Sequence, residues 1–196
     1  MIDCRVYWPM VYKNDSITKV FNNGYQQQLV RSINFVGATS LIEILNGKWL
    51  ATWYLYHDPE RGVLEFCDDL PKTQWFQKAM FWQPCVRSYY IPGQEIVWGN
   101  KQDVGDLIEH ACVMKGLFGQ SGTQTVDFIE ILPTMKIANT ILQNVLVIVY
   151  SQKWGNGPPS GAKYYLAPNL GMVQIEWMAN GLPTGYSVMM ESYHFL

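Results

Sequence analysis

The stretch Ile141-Leu-Gln-Asn-Val-Leu-Val-Ile-Val-Tyr150 decides the fold class, because it is rich in β-branched residues and holds no helix breaker. The turn formers of Lys153-Trp-Gly-Asn-Gly-Pro-Pro-Ser-Gly161 end it. Lys163-Tyr-Tyr-Leu166 and Met172-Val-Gln-Ile-Glu-Trp177 follow, and the latter alternates apolar and polar side chains with the period of a half-buried strand. We therefore predict a long strand, a loop and a hairpin between Asn139 and Met178.

The rest of the chain repeats this β-rich pattern around tight-turn signals. Asn22-Asn-Gly24 and Asn46-Gly47 each separate two β-rich runs. Asn-Gly favours a type I′ hairpin turn, because both residues tolerate positive φ. Pro133 should end the strand that precedes it. The predicted strands are Cys4–Trp8, Ile17–Phe21, Gln26–Phe35, Ser40–Leu45, Lys48–Tyr56, Val63–Cys67, Gly93–Gly99, Thr125–Leu132 and Tyr186–Leu196.

Two segments have a less regular pattern. Thr73–Trp82 places four apolar side chains on one helical face, which predicts a short helix. Asp103–Gly116 fits both a helix closed by Lys115-Gly116 and a strand, and we favour the strand.

Together these elements predict a mainly β protein, built as a single curved antiparallel sheet or half-barrel with a short helical segment. At 196 residues the chain fits one domain, 1–196. The alternative organisation within it has two half-sheets, 1–70 and 86–196, joined by 71–85.

The composition indicates an apolar surface that needs a partner. Charged residues make up 15% of the chain and aromatic residues 14%, whereas an average soluble domain has about 25% charged residues. So few charges do not cover the surface of a monomer easily. We therefore expect a protein partner or a homo-oligomer, or alternatively an apolar ligand.

The charge pattern argues against nucleic acid as a partner, and the N-terminal residues and the cysteines indicate a compartment. The net charge is −2 and no basic run is present, which argues against nucleic-acid binding. The longest apolar stretch, Val145–Tyr150, is far shorter than the ~20 residues of a membrane span. Met1–Trp8 lacks the features of a signal peptide, and the four cysteines are scattered. We expect a cytoplasmic or virion location, the alternative being a protein whose leader was removed.

No catalytic or metal-binding motif is present in the sequence. His57, His110 and His194 are too widely spaced for a local metal site, and no serine stands in G-x-S-x-G. We predict no enzyme activity, no cofactor and no metal. The candidate ligand-binding residues are aromatic side chains that would line a concave apolar or sugar-stacking surface: Trp49, Trp53, Tyr164, Tyr165 and Trp177. The competing interpretation makes them core residues and cross-strand pairs.

Several runs, mainly within residues 89–177, resemble the half-barrel proteins related to the bacterial lipoprotein carriers. The runs that carry the resemblance are Tyr7–Pro9, Tyr89–Trp98, Phe128–Pro133, Asn144–Val149 and Lys163–Glu176. Members of that family are mostly exported, so the resemblance implies a curved antiparallel sheet, covered on its concave side, that either holds lipid acyl chains or has an unknown role. The chain departs from that pattern in lacking a signal peptide and a lipobox cysteine, and in having Thr134 where a glycine is usual.

Three hypotheses about function follow, in order of preference. The first is a non-catalytic structural or adaptor subunit of a larger assembly, such as a virion or phage tail. The second is a half-barrel binding protein for a lipid or other apolar ligand. An enzyme comes last, because no group of residues supports catalysis.

Overall fold

One antiparallel sheet of twelve strands dominates the part of the chain that the structure describes. The structure, a computed structural model, describes residues 2–7, 11, 15–33, 37–58, 62–69, 95–97, 101, 102, 105, 107–113 and 121–195. The elements are β1 Ile2–Asp3, α1 Cys4–Tyr7, β2 Ser16–Phe21, β3 Tyr25–Arg31, β4 Thr39–Leu45, β5 Lys48–Asp58, β6 Gly62–Asp69, β7 Glu95–Val97, β8 Lys101–Gln102, β9 Leu107–Val113, β10 Ser121–Ile137, β11 Thr140–Trp154, β12 Ser160–Ala167, β13 Gly171–Ala179 and β14 Leu182–Phe195.

The sheet consists of two meanders, β2 to β7 and β9 to β13, and the last strand, β14, lies between β2 and β13 and joins them. Its order is β7-β6-β5-β4-β3-β2-β14-β13-β12-β11-β10-β9, while β1 and β8 pair separately. The early part of β14 pairs with β13, and the segment Met190–Phe195 pairs with β2. A register shift between Met190 and Ser192 marks the change. One strand therefore connects the N-terminal and C-terminal parts of the sheet.

The hairpins have the turn residues that their geometry requires. Asn46 (φ 51°) and Gly47 (φ 74°) both lie in the left-handed region, which confirms the predicted type I′ turn. Asn180 (φ 53°) and Gly181 (φ 76°) repeat this arrangement between β13 and β14. These turns allow long strands to fold back without splaying.

Contacts between distant strands show that the sheet curves over one face. In a flat sheet, β3 and β13 would stand about 14 Å apart, because β2 and β14 lie between them. Nevertheless Gln27 Nε2 on β3 lies 3.9 Å from Met172 Sδ on β13. Lys19 on β2 also reaches the backbone of the β12–β13 turn. We call the face that carries Lys19 and Gln27 the concave face, and the opposite one the convex face.

Apolar side chains from both parts of the sheet fill the concave face, and the described residues of the N-terminal segment, 2–7 and 11, contribute Ile2, Tyr7 and Val11 to the same core. Tyr7 and Val11 are buried. Tyr7 donates a hydrogen bond from its hydroxyl to the backbone oxygen of Asn144 (2.9 Å), and Val11 donates its N–H to Thr39 Oγ1 (2.8 Å). The core residues of the concave face include Phe21, Leu29, Leu41, Phe128, Ile148, Tyr164, Ile175, Val188 and Met190.

The structure confirms the predicted fold class and corrects two local predictions. Cys4–Tyr7 is a short helix rather than part of a strand. Strand β10 continues through Pro133 to Ile137 instead of ending before it. Beyond Asp127, β10 pairs only with β11 among the described residues. A proline in that part needs no second hydrogen-bonded neighbour and is therefore tolerated.

Other predictions stand or lie outside the described residues. β11, β12 and β13 confirm the predicted strand and hairpin, and Asp103–Gly116 contains a strand, β9. The predicted helix Thr73–Trp82 and the connection 71–85 lie outside the described residues. The division into two half-sheets at that connection therefore stays a prediction.

We predict that Gly161→Ala destabilises the protein by about 2 to 3 kcal/mol, as overpacking does. A Cβ at this position would collide with the backbone of Tyr150 and Ser151 on β11. Urea denaturation followed by far-ultraviolet circular dichroism measures the loss. Ser160→Ala, an exposed change on the same strand, is the control. Equal stability of the two variants would show that β11 and β12 are not this close.

Candidate functional site

The structure does not gather the five predicted aromatic residues into one surface. Trp49 lies on β5, is 41% exposed, and donates its indole N–H to Thr52 Oγ1 at 3.1 Å. The side chain of Trp53, also on β5, lies outside those described. The other three residues lie on β12 and β13, in the C-terminal part of the sheet.

Tyr164 and Tyr165 point to opposite faces of β12. The strand register passes from Phe21 on the concave face to Tyr164 through Met190, Val188 and Ile175. Tyr164 is therefore concave, where its ring meets that of Tyr150 edge-on at 5.5 Å. Tyr165 follows it directly and is convex. Only one of the two tyrosines can line a concave surface.

Trp177 forms a half-exposed aromatic pair near the end of β13. Its ring centroid lies 5.0 Å from that of Tyr186. The register between β13 and β14 shifts here, and Gly185 has a φ of 80°. Thr184 Oγ1 donates to the backbone oxygen of Trp177 at 3.1 Å, which fixes the irregular backbone. The bulge thus places Tyr186 against Trp177.

A polar group of side chains lies on the convex face around Tyr165. Tyr165 donates its hydroxyl to Glu176 Oε2 at 3.1 Å, and Gln174 Nε2 donates to Glu176 Oε1 at 3.2 Å. Lys163 Nζ lies 5.3 Å from the centre of the Tyr165 ring. We call Lys163, Tyr165, Gln174 and Glu176 the outer polar cluster. Its centre is the carboxylate, which accepts from both neighbours.

Electrostatics keeps Tyr165 protonated. Burial raises the pKa of Tyr165 to about 12, and the charge of Glu176, the hydrogen bond to Glu176 and the charge of Glu130 act in the same direction. The hydroxyl therefore remains a hydrogen-bond donor throughout the physiological pH range. It serves Glu176 as a fixed donor and is unsuited to act as a base.

A second polar group lies inside the concave face. Lys19 stands directly opposite Gln27 in the register, and Gln27 directly opposite Glu43. All three side chains are buried, with exposures of 2% or less. We call these residues the inner polar row. It crosses β2, β3 and β4 in the middle of an otherwise apolar face.

The inner polar row is held by hydrogen bonds at both ends. Lys19 Nζ donates to the backbone oxygens of Leu170 and Met172, each at 2.9 Å. Tyr25 donates its hydroxyl to Glu43 Oε1, and Gln27 Nε2 donates to the Tyr25 hydroxyl at 2.9 Å. Within the described structure, Gln27 Oε1 has no hydrogen-bond partner.

Burial controls the protonation of Lys19. It lowers the pKa of the lysine from 10.5 to about 7, although the negative charge of Glu43 opposes this effect. Desolvation wins because the amino group is fully enclosed, and the carboxylate offsets only part of its cost. The lysine therefore changes charge near neutral pH while it connects two parts of the sheet.

Sequence reasoning missed the inner polar row, although a signal was present. In Ile17-Thr-Lys-Val-Phe21, Lys19 occupies the same alternation phase as Ile17 and Phe21. Glu43 occupies the phase of Leu41 in the same way. A charged residue on the apolar phase of a strand indicates a buried charge.

The described residues offer no metal centre. They contain no group of three or more His, Cys, Asp or Glu side chains that could hold an ion. No helix in the described part of the chain has the length and hydropathy needed to cross a membrane.

Two solved structures resemble this fold along almost its whole length. One is described as an exported protein with a YmcC-like fold from Bacteroides fragilis, with 14% identity and a TM-score of 0.50, covering 95% of this chain and 98% of that chain. The other is described as a lipoprotein from Parabacteroides distasonis, with 11% identity and a TM-score of 0.50, covering 98% of this chain and 100% of that chain. No family model and no curated protein matches the sequence.

These neighbours confirm one expectation and correct another. They share the curved antiparallel sheet, so the half-barrel architecture inferred from the resemblance is confirmed. The predicted cytoplasmic or virion location is wrong, because the neighbours are described as an exported protein and a lipoprotein.

We predict that Lys19 makes the stability depend on pH above neutrality. Between pH 7 and 10 the unfolded lysine binds a proton that the folded one has lost, so the free energy of unfolding should rise with pH. One such proton corresponds to about 1.4 kcal/mol per pH unit. Urea titrations from pH 6 to 9.5 measure the slope. Lys19→Met should lose this component, whereas Lys48→Met, at an exposed position, should keep it. Equal slopes in all three proteins would contradict the burial of a titrating Lys19.

Proposed function

We propose that the protein is a non-catalytic binding protein of an extracytoplasmic compartment, whose concave face takes up an apolar ligand such as a lipid acyl chain. The observation that carries the proposal is the concave apolar face to which both parts of the sheet contribute. The two neighbours of the same fold, described as an exported protein and a lipoprotein, support the location.

The chemistry of the concave face suits a long apolar ligand with a small polar end. Phe21, Leu29 and Leu41 present side chains from β2, β3 and β4, and Phe128 and Ile148 do so from β10 and β11. Burying apolar area is worth about 25 cal/mol per Å², so an acyl chain can bind such a surface without specific contacts. The inner polar row offers hydrogen-bonding groups at one place in this lining.

The N-terminal segment occupies the place that such a ligand would take. It is held against the sheet by the hydrogen bonds of Tyr7 to Asn144 and of Val11 to Thr39. The backbone oxygen of Val6 also accepts a hydrogen bond from Asn169 N at 2.8 Å. A few such contacts, each worth about 1 kcal/mol net, can be exchanged for contacts with a ligand. Ligand and segment would then compete.

We predict that Tyr7→Ala increases the affinity for a fluorescent fatty acid several-fold. The change removes a buried ring and a hydrogen bond that hold the competing segment, so uptake should cost less. Fluorescence titration measures the dissociation constant. Native mass spectrometry of the untreated protein shows whether a lipid co-purifies with it.

Val6→Ala is the matched control, because Val6 is 38% exposed and its side chain contributes less to the attachment. It should leave the affinity close to that of the unaltered protein. No saturable binding by any of the three proteins would rule out a concave acyl-chain site.

A second candidate function, an adaptor that binds another protein, is favoured by the end of the β13–β14 hairpin. All residues of 179–187 are exposed, Leu182 by 68% and Tyr186 by 49%. No charged residue occurs in 177–190. An uncharged projecting hairpin with large apolar side chains is typical of a protein contact surface.

For the adaptor hypothesis we predict an oligomer or a partner complex that depends on this hairpin. Light scattering coupled to size-exclusion chromatography, at tens of micromolar protein, should give a mass above 22.6 kDa. The double change Leu182→Ser and Tyr186→Ser should restore the monomer mass. Ile33→Ser, which alters a residue 96% exposed elsewhere, should not. A monomer in all cases would exclude self-association through the hairpin.

A further inference from the structure

Glu176 is the carboxylate at the centre of the outer polar cluster. Both carboxylate oxygens accept hydrogen bonds, but the donors are the neutral groups of Tyr165 and Gln174. Among the described residues, no lysine or arginine forms an ion pair with it. Neutral donors stabilise a carboxylate, yet they leave its charge in place.

Lys163, the lysine that faces Glu176 on the neighbouring strand, does not pair with it. Lys163 stands directly opposite Glu176 in the register of β12 and β13, where an ion pair would be expected. Its ammonium group instead lies over the Tyr165 ring, 5.3 Å from the centroid. This cation–π contact keeps a positive charge beside the cluster without neutralising the carboxylate.

Gln174 provides a second observation, a buried hydrogen-bond acceptor without a donor. Its side chain is 6% exposed, and within the described structure its Oε1 accepts no hydrogen bond. Nε2 of the same amide donates to Glu176 Oε1, so the unpaired oxygen belongs to the amide group that contacts the carboxylate. A buried acceptor without a donor costs about 1 to 3 kcal/mol. A group that donates to both Gln174 and Glu176 would recover this energy.

Glu176 and Lys163 give the cluster an edge at the surface of the described structure, whereas Tyr165 and Gln174 lie beneath it. Glu176 and Lys163 are half-buried, and Ser187, opposite Glu176 on β14, is exposed. Glu130 on β10 is exposed and close enough to act electrostatically on Tyr165. Two carboxylates against one lysine give the region a negative potential, which favours a cation over a neutral or anionic ligand.

We propose that the outer polar cluster is a binding site for an organic cation that carries N–H donors, a primary ammonium group above all. The ammonium group would donate to Glu176 and to Gln174 Oε1, and Glu130 would add long-range attraction. This site is on the convex face, so it is separate from the concave apolar surface and does not depend on the function proposed for that surface.

The test compares putrescine with 1,4-butanediol, which has the same length and no charge. Two-dimensional ¹H–¹⁵N NMR at constant ionic strength follows the side-chain amide of Gln174 and the backbone amides of β12 and β13. We expect saturable shifts with putrescine and much weaker ones with butanediol. Butanediol binding equally well would overturn the cation assignment. No saturable shift with either probe would mean that the cluster holds water only.

Three variants locate the site. Glu176→Gln should weaken putrescine binding at least tenfold, because a charge-assisted hydrogen bond becomes a neutral one. Lys163→Met should strengthen it two- to threefold, because a neighbouring positive charge is removed. Glu191→Gln, an exposed change on β14, should leave it unaltered. An effect of Glu191→Gln as large as that of Glu176→Gln would reveal general charge attraction and would sink the proposal. The opposite directions expected for the first two variants separate binding from loss of folding.

Discussion

A contact between the Lys19 amino group and the end of the β12–β13 turn joins the two parts of the curved sheet. Lys19 on β2 donates to the backbone oxygens of Leu170 and Met172, which belong to the other part of the sheet. A hydrogen bond made by a charged group is typically worth about 1.5 to 3 kcal/mol, and separating the two parts of the sheet at this point would lose two of them. The two parts of the sheet therefore cannot flatten away from each other cheaply. The interior follows from this constraint, because side chains from β3 and β13 meet only in the curved form.

The strand elements could be predicted because their signals are local. Asn46-Gly47 requires positive φ at both positions, and the structure has it there. Alternation in Met172–Trp177 likewise indicates a strand without any knowledge of its neighbours. Pro133 shows the limit of local rules, since whether a proline ends a strand depends on the neighbouring strands, and β9 pairs with β10 only as far as Asp127. That information is contained in the tertiary arrangement alone.

The candidate site was harder to predict, because a face is assigned only once the register is known. Tyr164 and Tyr165 are adjacent and aromatic, so the sequence offers no reason to separate them, yet they serve opposite faces. Lys19 and Glu43 are 24 positions apart, and only the pairing of both strands with β3 places them in one row. The ring of Trp177 contacts that of Tyr186 where the strand register shifts, and no local sequence pattern predicts this shift. Composition indicated an aromatic surplus, but not where it would lie.

The two polar groups differ in a way that bears on function. In the inner polar row, Lys19 and Glu43 are fully enclosed and hydrogen-bonded to other groups of the protein. The outer polar cluster is half-open, its carboxylate accepts hydrogen bonds from neutral donors, and one buried amide oxygen has no donor within the described structure. A closed, hydrogen-bonded group mainly fixes the shape of the sheet. A half-open group with an unpaired acceptor can lower its energy by contact with something outside the chain, which is the reason to look for polar recognition on the convex side of β12 and β13.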